Sequence, residues 1–161
     1  MTAPAQLLLA VLDTNVYVSG VILSRGAPFE LLEAWRRQEY ILATSEAILT
    51  EIERVLRYPH LHDRYHLAED DVTGLVASLR ADALVVAGAY EVSGVSPDPD
   101  DDKFLACALE AQADCIVTGD PHSLNLKHYQ RIAILTPVNF LSRLTSTATG
   151  GEADTAEDTE R

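Results

Sequence analysis

The run Leu7 to Leu12 is apolar at every position and breaks on a polar triplet, Asp13-Thr14-Asn15, as a short strand buried on both faces of a parallel sheet does. Downstream, Phe29, Leu31, Leu32 and Trp35 fall on one side of a helix that starts after Pro28 and ends in the polar cluster Arg36 to Glu39. Tyr40 to Ala43 predicts a second strand. Thr44 and Ser45 then offer an N-cap to a helix whose Ile48, Leu49, Ile52, Val55 and Leu56 recur at helical spacing until Pro59. From Tyr58 to Val86 the pattern is helical. It breaks near Leu67 and restarts over Ala68 to Asp71, where acidic residues suit the positive end of a helix. Leu84 to Ala87 predicts a third strand, Phe104 to Ala113 a helix, Cys115 to Thr118 a strand, Ile132 to Leu135 a last strand and Val138 to Leu144 a closing helix. Strand and helix signals that alternate in this way imply an α/β fold, with a central parallel sheet covered on both faces.

At 161 residues and 47% apolar content the chain can bury one sizeable core, which predicts a single domain over residues 1–144. Residues 145–161 differ in kind, with small polar residues, a Gly150-Gly151 pair, and five acids against the single base Arg161, and are expected to form a disordered acidic tail. That tail carries -4 of the formal charge of -13, so the folded body is itself acidic. Such a surface repels polyphosphates unless cations or local basic patches reverse the field, and any nucleic-acid function must rest on a site. Leu7 to Leu12 is too short to span a bilayer and lacks a basic flank, so the expectation is a cytoplasmic protein without a membrane partner. Cys107 and Cys115 form no metal-binding or disulfide framework and read as two buried, reduced thiols.

The acids are placed less evenly than their number suggests. Asp13 and Asp120 each follow an apolar strand, and in a parallel sheet the C-terminal ends of the strands share one edge. Asp102 sits in the first turn of the helix that leads into the Cys115 strand, which begins at that same edge. Glu51 lies at the margin of the apolar stripe Ile48, Ile52 and Val55, within reach of a neighbouring site. Carboxylates converging without histidine or cysteine make a hard-oxygen site that favours Mg²⁺ or Mn²⁺ over zinc, and such sites perform phosphodiester hydrolysis. Each acid alone has an ordinary explanation as a cap, a helix-edge residue or a turn residue, so the signal lies in the set. His60, His62 and His66 have no cysteine near them and read as solvent-facing.

These residues in this order resemble the PIN domain superfamily, in particular bacterial toxin components of toxin–antitoxin systems of the VapC-like kind. The resemblance runs from about Leu8 to Leu144. It rests on Leu12-Asp13-Thr14-Asn15-Val16, on Glu51 in Ser45-Glu46-Ala47-Ile48-Leu49-Thr50-Glu51-Ile52, on Asp102 in Asp101-Asp102-Lys103-Phe104-Leu105-Ala106, and on Asp120 in Val117-Thr118-Gly119-Asp120. No one string is specific, but four in order at this spacing are hard to obtain by chance. The resemblance implies a three-layer α/β/α sandwich and a Mg²⁺- or Mn²⁺-dependent endoribonuclease. Asp13, Glu51, Asp102 and Asp120 would be its catalytic and metal-binding acids, with Asn15 and Thr118 as supports that orient them. It also implies an RNA substrate, a cognate antitoxin and a homodimer. Asp101 is a fifth acid, which leaves open which of the adjacent pair points inward. Lys103, directly after Asp102, is the best placed of the basic residues for an RNA-backbone contact, ahead of Arg25, Arg36, Arg37, Lys127 and Arg131. A haloacid-dehalogenase phosphatase would need an aspartate where Asn15 stands, and a response-regulator receiver an acidic pair where Leu12 precedes Asp13. The rival reading within the family is a catalytically weak module that binds an antitoxin or regulates, since the acidic body argues against avid RNA binding.

Overall fold

The computed structural model describes residues 7–95, 99–119 and 128–148. Its elements run β1 (Leu9–Leu12), α1 (Thr14–Ile22), α2 (Ala27–Arg36), β2 (Ile41–Ser45), α3 (Glu46–Leu56), α4 (Pro59–Tyr65), α5 (Glu69–Asp82) and β3 (Leu84–Val86). A 3₁₀ turn (Pro99–Asp101) then leads into α6 (Asp102–Ala111), β4 (Cys115–Val117), β5 (His128–Tyr129), β6 (Ile132–Leu135) and α7 (Pro137–Ala148). The six strands form one sheet in the order β3-β2-β1-β4-β6-β5. All neighbours are parallel except β5, which pairs antiparallel with β6. Helices flank this sheet, giving the α/β/α arrangement that the alternating pattern predicts.

The strand order positions everything that follows. From β1 the chain moves outward through β2 to β3, then returns across the sheet to β4 on the other side of β1. The direction of winding therefore reverses between β1 and β4, and the carboxyl ends of those two strands border the crevice that such a switch point creates. The register Leu12↔Val117 puts Asp13 beside Thr118, and the Asp13 amide donates to the Val117 carbonyl at 2.9 Å. The strands beneath the crevice are dry: Ala10, Val11, Leu12, Ile116 and Val117 are fully buried, as the continuous apolar runs require.

Several elements differ from the expectations. The stretch Thr14–Ile22 carries no amphipathic pattern, yet it is the helix α1, because Asp13 caps it and its Val16, Tyr17, Val18 and Gly20 are all buried. A helix enclosed on most sides has no polar face to reveal its period. Gly20 is the reason α1 and α2 can pack closely, since a Cβ there would stand 2.6 Å from Leu32 Cδ1 and 2.9 Å from the Pro28 carbonyl oxygen. Pro59 does not merely stop α3: it occupies the first turn of α4, where its missing N–H costs nothing. At the C-terminus α7 runs four residues beyond Leu144, to Ala148, and the rest of the expected tail, 149–161, lies outside the described residues. Thr145 Oγ1 donates back to the Leu141 carbonyl at 3.2 Å, which keeps a small polar residue inside the helix. This helix is anchored on the sheet where the Phe140 ring meets Tyr40 edge-on at 5.0 Å, and Tyr40 in turn donates its hydroxyl to the Leu31 carbonyl.

Candidate active site

Asp13 has two structural tasks before any chemical one. As the N-cap of α1 it accepts the Asn15 amide through Oδ1 at 2.6 Å, and through Oδ2 it accepts the Thr118 hydroxyl at 2.6 Å. Both are hydrogen bonds to an ionised acceptor, which are short and stronger than neutral ones. They fix the carboxylate of Asp13, a residue only 7% exposed, at the ends of β1 and β4. Of the residues expected as supports for the acids, Thr118 bonds Asp13 through its hydroxyl and Asn15 through its backbone N–H, not its side chain.

Asp102 opens α6, the helix that packs across β1, β2, β3 and β4, and is 4% exposed. Asp101 is the N-cap of the same helix and only half-buried, which settles the inward-facing member of the pair as Asp102. A helix N-terminus offers unpaired N–H groups and a positive dipole end, so a buried acid in this first turn is electrostatically supported.

Glu51 projects from α3 and is held by three neighbours. Thr14 donates its hydroxyl to Glu51 Oε2, Lys103 donates its ammonium to Oε1, and the Arg54 guanidinium lies 3.7 Å from Oε1. Thr14 is itself the first residue of α1, so Glu51 is tied to the element that Asp13 caps and, through Lys103, to the element that Asp102 opens. Asp13, Thr118, Thr14, Glu51, Lys103 and Asp102 thus belong to one connected patch at the carboxyl edge. Thr14 and Arg54 were not identified from the sequence. Thr14 could have been, since it sits between two residues already assigned to the edge, and Arg54 stands one helical turn from Glu51.

Asp120, the remaining predicted acid, lies outside the described residues, as does Lys127. Among the described residues no three histidine, cysteine, aspartate or glutamate side chains group around a point that could hold a metal ion. Arg36 and Arg37 are each paired with a glutamate, Glu33 and Glu39, on the exposed surface. The expectation for the cysteines holds: both are buried thiols, and burial pushes each up to about 12. Behind the site the Tyr17 hydroxyl is fully enclosed near Thr44, and burial holds its pKa well above the ordinary value. It stays neutral and adds no charge to an acidic cluster.

A groove of about 470 Å³ adjoins this patch. Asp102 and Lys103 line it together with Ser45 and Glu46 at the junction of β2 and α3, and with Tyr90 and Val92 from the segment after β3.

The PIN domain family profile matches residues 9–122. An uncharacterized protein of Methanocaldococcus jannaschii is 30% identical over 117 residues, spanning 73% of this chain and 74% of its own. Among solved structures, the crystal structure of FitAcB from Neisseria gonorrhoeae is 16% identical, with a TM-score of 0.46 and coverage of 80% of this chain and 97% of that chain, too distant a likeness to bear on function. The family match covers β1 through β4 and the whole of the patch built on Asp13, Glu51 and Asp102, and the chain belongs to the PIN domain family, whose members are generally metal-dependent nucleases.

Proposed function

We propose that this chain is a Mg²⁺- or Mn²⁺-dependent endoribonuclease, the cytoplasmic toxin of a toxin–antitoxin pair, acting as a homodimer restrained by a cognate antitoxin. The observation that supports the catalytic reading is that two acids, Asp13 after β1 and Asp102 at the start of α6, are each buried within the PIN framework. Burying two acids costs desolvation energy, which a site that binds a cation uses. The toxin assignment rests on the four sequence motifs.

The donors suit a hard cation in kind, being carboxylate and hydroxyl oxygens without sulfur or imidazole. Asp13 and Asp102 would hold it, with Asp120 as the third ligand. When bound, the cation supplies positive charge against the phosphodiester and Lewis acidity toward its oxygens. Thr118 and the Asn15 amide keep Asp13 in one orientation, so binding costs little rearrangement. Glu51, fixed by Thr14 and Lys103, accepts a hydrogen from the attacking water and orients it. Lys103 presents the positive end of the patch toward the phosphate.

One observation favours the weak-catalysis alternative: both Glu51 oxygens already accept from a donor, and the Lys103 ammonium that would meet the substrate already donates to one of them. A single experiment decides. Cleavage of single-stranded RNA by the purified chain should require Mg²⁺ or Mn²⁺ and stop in EDTA. It should fall by orders of magnitude in Asp13→Asn and Asp102→Asn, both of which should still unfold cooperatively. Cleavage that survives EDTA or both substitutions refutes the metal mechanism. A well-folded wild type that leaves every RNA intact in Mn²⁺ establishes the binding module instead.

A further inference from the structure

Resting on the ribonuclease reading, we propose that the groove beside Asp102 is a nucleobase pocket, in which Tyr90 stacks on a base of single-stranded RNA next to the scissile phosphate. Three features of the groove lead there. The first is its charge. Glu46, Glu91, Glu110 and Asp102 line it, and Lys103 is the only basic residue among its described lining residues. A phosphate is repelled from such walls everywhere except near Lys103, which stands next to Asp102. An uncharged base is not repelled, and its amino hydrogens find carboxylate acceptors there.

The second feature is Tyr90. It is 53% exposed, and a lone exposed aromatic is unremarkable on a protein surface. This one is held in place. Glu110 Oε1 accepts the backbone N–H of Ala89 at 3.0 Å and that of Tyr90 at 3.4 Å, which ties an irregular segment to the last turns of α6. Asp102 begins the same helix. Eight residues of helix set the anchor and the acid about 12 Å apart along a rigid axis, a spacing the segment cannot change without losing both hydrogen bonds. An aromatic ring on an anchored backbone, at the wall of a groove that contains the candidate catalytic acid, is what single-strand binders use, because every base has a face to stack.

The third feature is size. A concave site of about 470 Å³ falls within the range of small-ligand pockets and admits a single unstacked base with its ribose. A duplex presents its bases paired and stacked, so the groove selects single-stranded segments.

The test measures base-dependent affinity in Ca²⁺ or EDTA, where binding is read without turnover. Wild type, Tyr90→Phe and Tyr90→Ala are titrated by fluorescence anisotropy against 12-residue oligomers of A, of U and of C, and against an abasic spacer oligomer of equal length and charge. Wild type should bind at least one base-bearing oligomer about tenfold tighter than the abasic one. Tyr90→Ala should lose that preference while keeping its affinity for the abasic oligomer, and Tyr90→Phe should retain it. Glu110→Ala should weaken the preference in the same direction by releasing the segment. If wild type cleaves RNA while Tyr90→Ala discriminates bases as well as it does, the pocket is refuted and the ribonuclease stands. If wild type neither binds nor cleaves RNA, both fall together. If Tyr90→Ala leaves RNA binding untouched but releases a protein that wild type retains, the groove is a protein-docking site and the proposal is overturned.

Discussion

Thr118→Val tests whether the floor of the crevice is organised as the hydrogen bonds suggest. The substitution keeps the branched shape and removes one hydroxyl, which is fully buried and donates to Asp13 Oδ2 at 2.6 Å. A hydrogen bond to a buried charged acceptor is worth about 1.5–3 kcal/mol, and the new methyl returns about 0.8 kcal/mol of transfer energy. The net loss should be about 1–2 kcal/mol. For a chain of this length each kcal/mol moves the melting temperature by roughly 2–4 °C, so a fall of about 2–8 °C is expected. Stability alone does not identify the cause. The assay is therefore a double-mutant cycle by urea unfolding, with Asp13→Asn as the second substitution, because asparagine keeps the N-cap acceptor while discharging the carboxylate. Thr118→Val should cost at least about 1 kcal/mol less in the Asp13→Asn background, where no charge is left for the hydroxyl to satisfy. If the two effects add within roughly 0.5 kcal/mol, Thr118 does not stabilise the Asp13 charge and its role as an orienting residue fails.

Two further predictions concern the scaffold. Gly20→Ala gains about 1 kcal/mol of helix propensity. It also drives a methyl to 2.9 Å from the Pro28 carbonyl oxygen, a backbone atom that cannot swing away, so a net destabilisation of about 1–2 kcal/mol is expected by chemical denaturation, and a stabilised variant would contradict the close approach of α1 and α2. At alkaline pH the buried thiols weaken the fold. Burial raises Cys107 and Cys115 from 9.0 to about 12 in the folded chain, so their contribution is whole below pH 9 and is lost as the pH climbs from there toward 12. At pH 10 the loss is on the order of 1.4 kcal/mol per thiol. Unfolding curves at pH 8 and pH 10 check this, and a double Cys→Ala variant that shows the same decline would place its origin elsewhere, in Tyr17 or Tyr40, whose hydroxyls burial also holds neutral.

How far the sequence discloses the site depends on whether a residue's pattern is local. Asp13 and Asp102 are legible because each interrupts an apolar element at a point where parallel topology dictates the edge. Glu51 is legible only as the margin of an apolar stripe, and its ties to Thr14 and Lys103, across 37 and 52 residues, follow from tertiary packing that no spacing encodes. The same distinction separates the elements. Amphipathic α3, with Ser45 capping it through the Ile48 amide, announces itself. By contrast α1 is rich in β-branched residues and buried nearly all round, so its period is hidden. The two-residue strand β5 is too short to carry any period, and it owes its existence to the edge that β6 offers.

The ion pairs also fix what kind of RNA binding is possible. Four arginines on or capping the helices are already engaged by glutamate: Arg36 by Glu33, Arg37 by Glu39, Arg57 by Glu53 and Glu69, and Arg80 by Glu46. Arg54 and Lys103 lie against Glu51 inside the candidate site. A chain with a formal charge of -13 and six of its twelve lysines and arginines paired with glutamate in this way has little positive surface to offer a polyanion. On the proposed ribonuclease reading, RNA affinity would come from the candidate cation site and from contacts to bases, which release few counterions. For single strands the slope of log K against log salt is about -0.7 per phosphate neutralised. We expect a slope shallower than about -2, equivalent to fewer than roughly three phosphate contacts. Binding of a 12-residue RNA measured between 50 and 300 mM KCl at fixed Ca²⁺ gives the slope directly. A steep dependence, of about -4 or beyond, would mean that a basic surface forms somewhere along the chain and dominates the encounter, and the argument from neutralised arginines would be wrong.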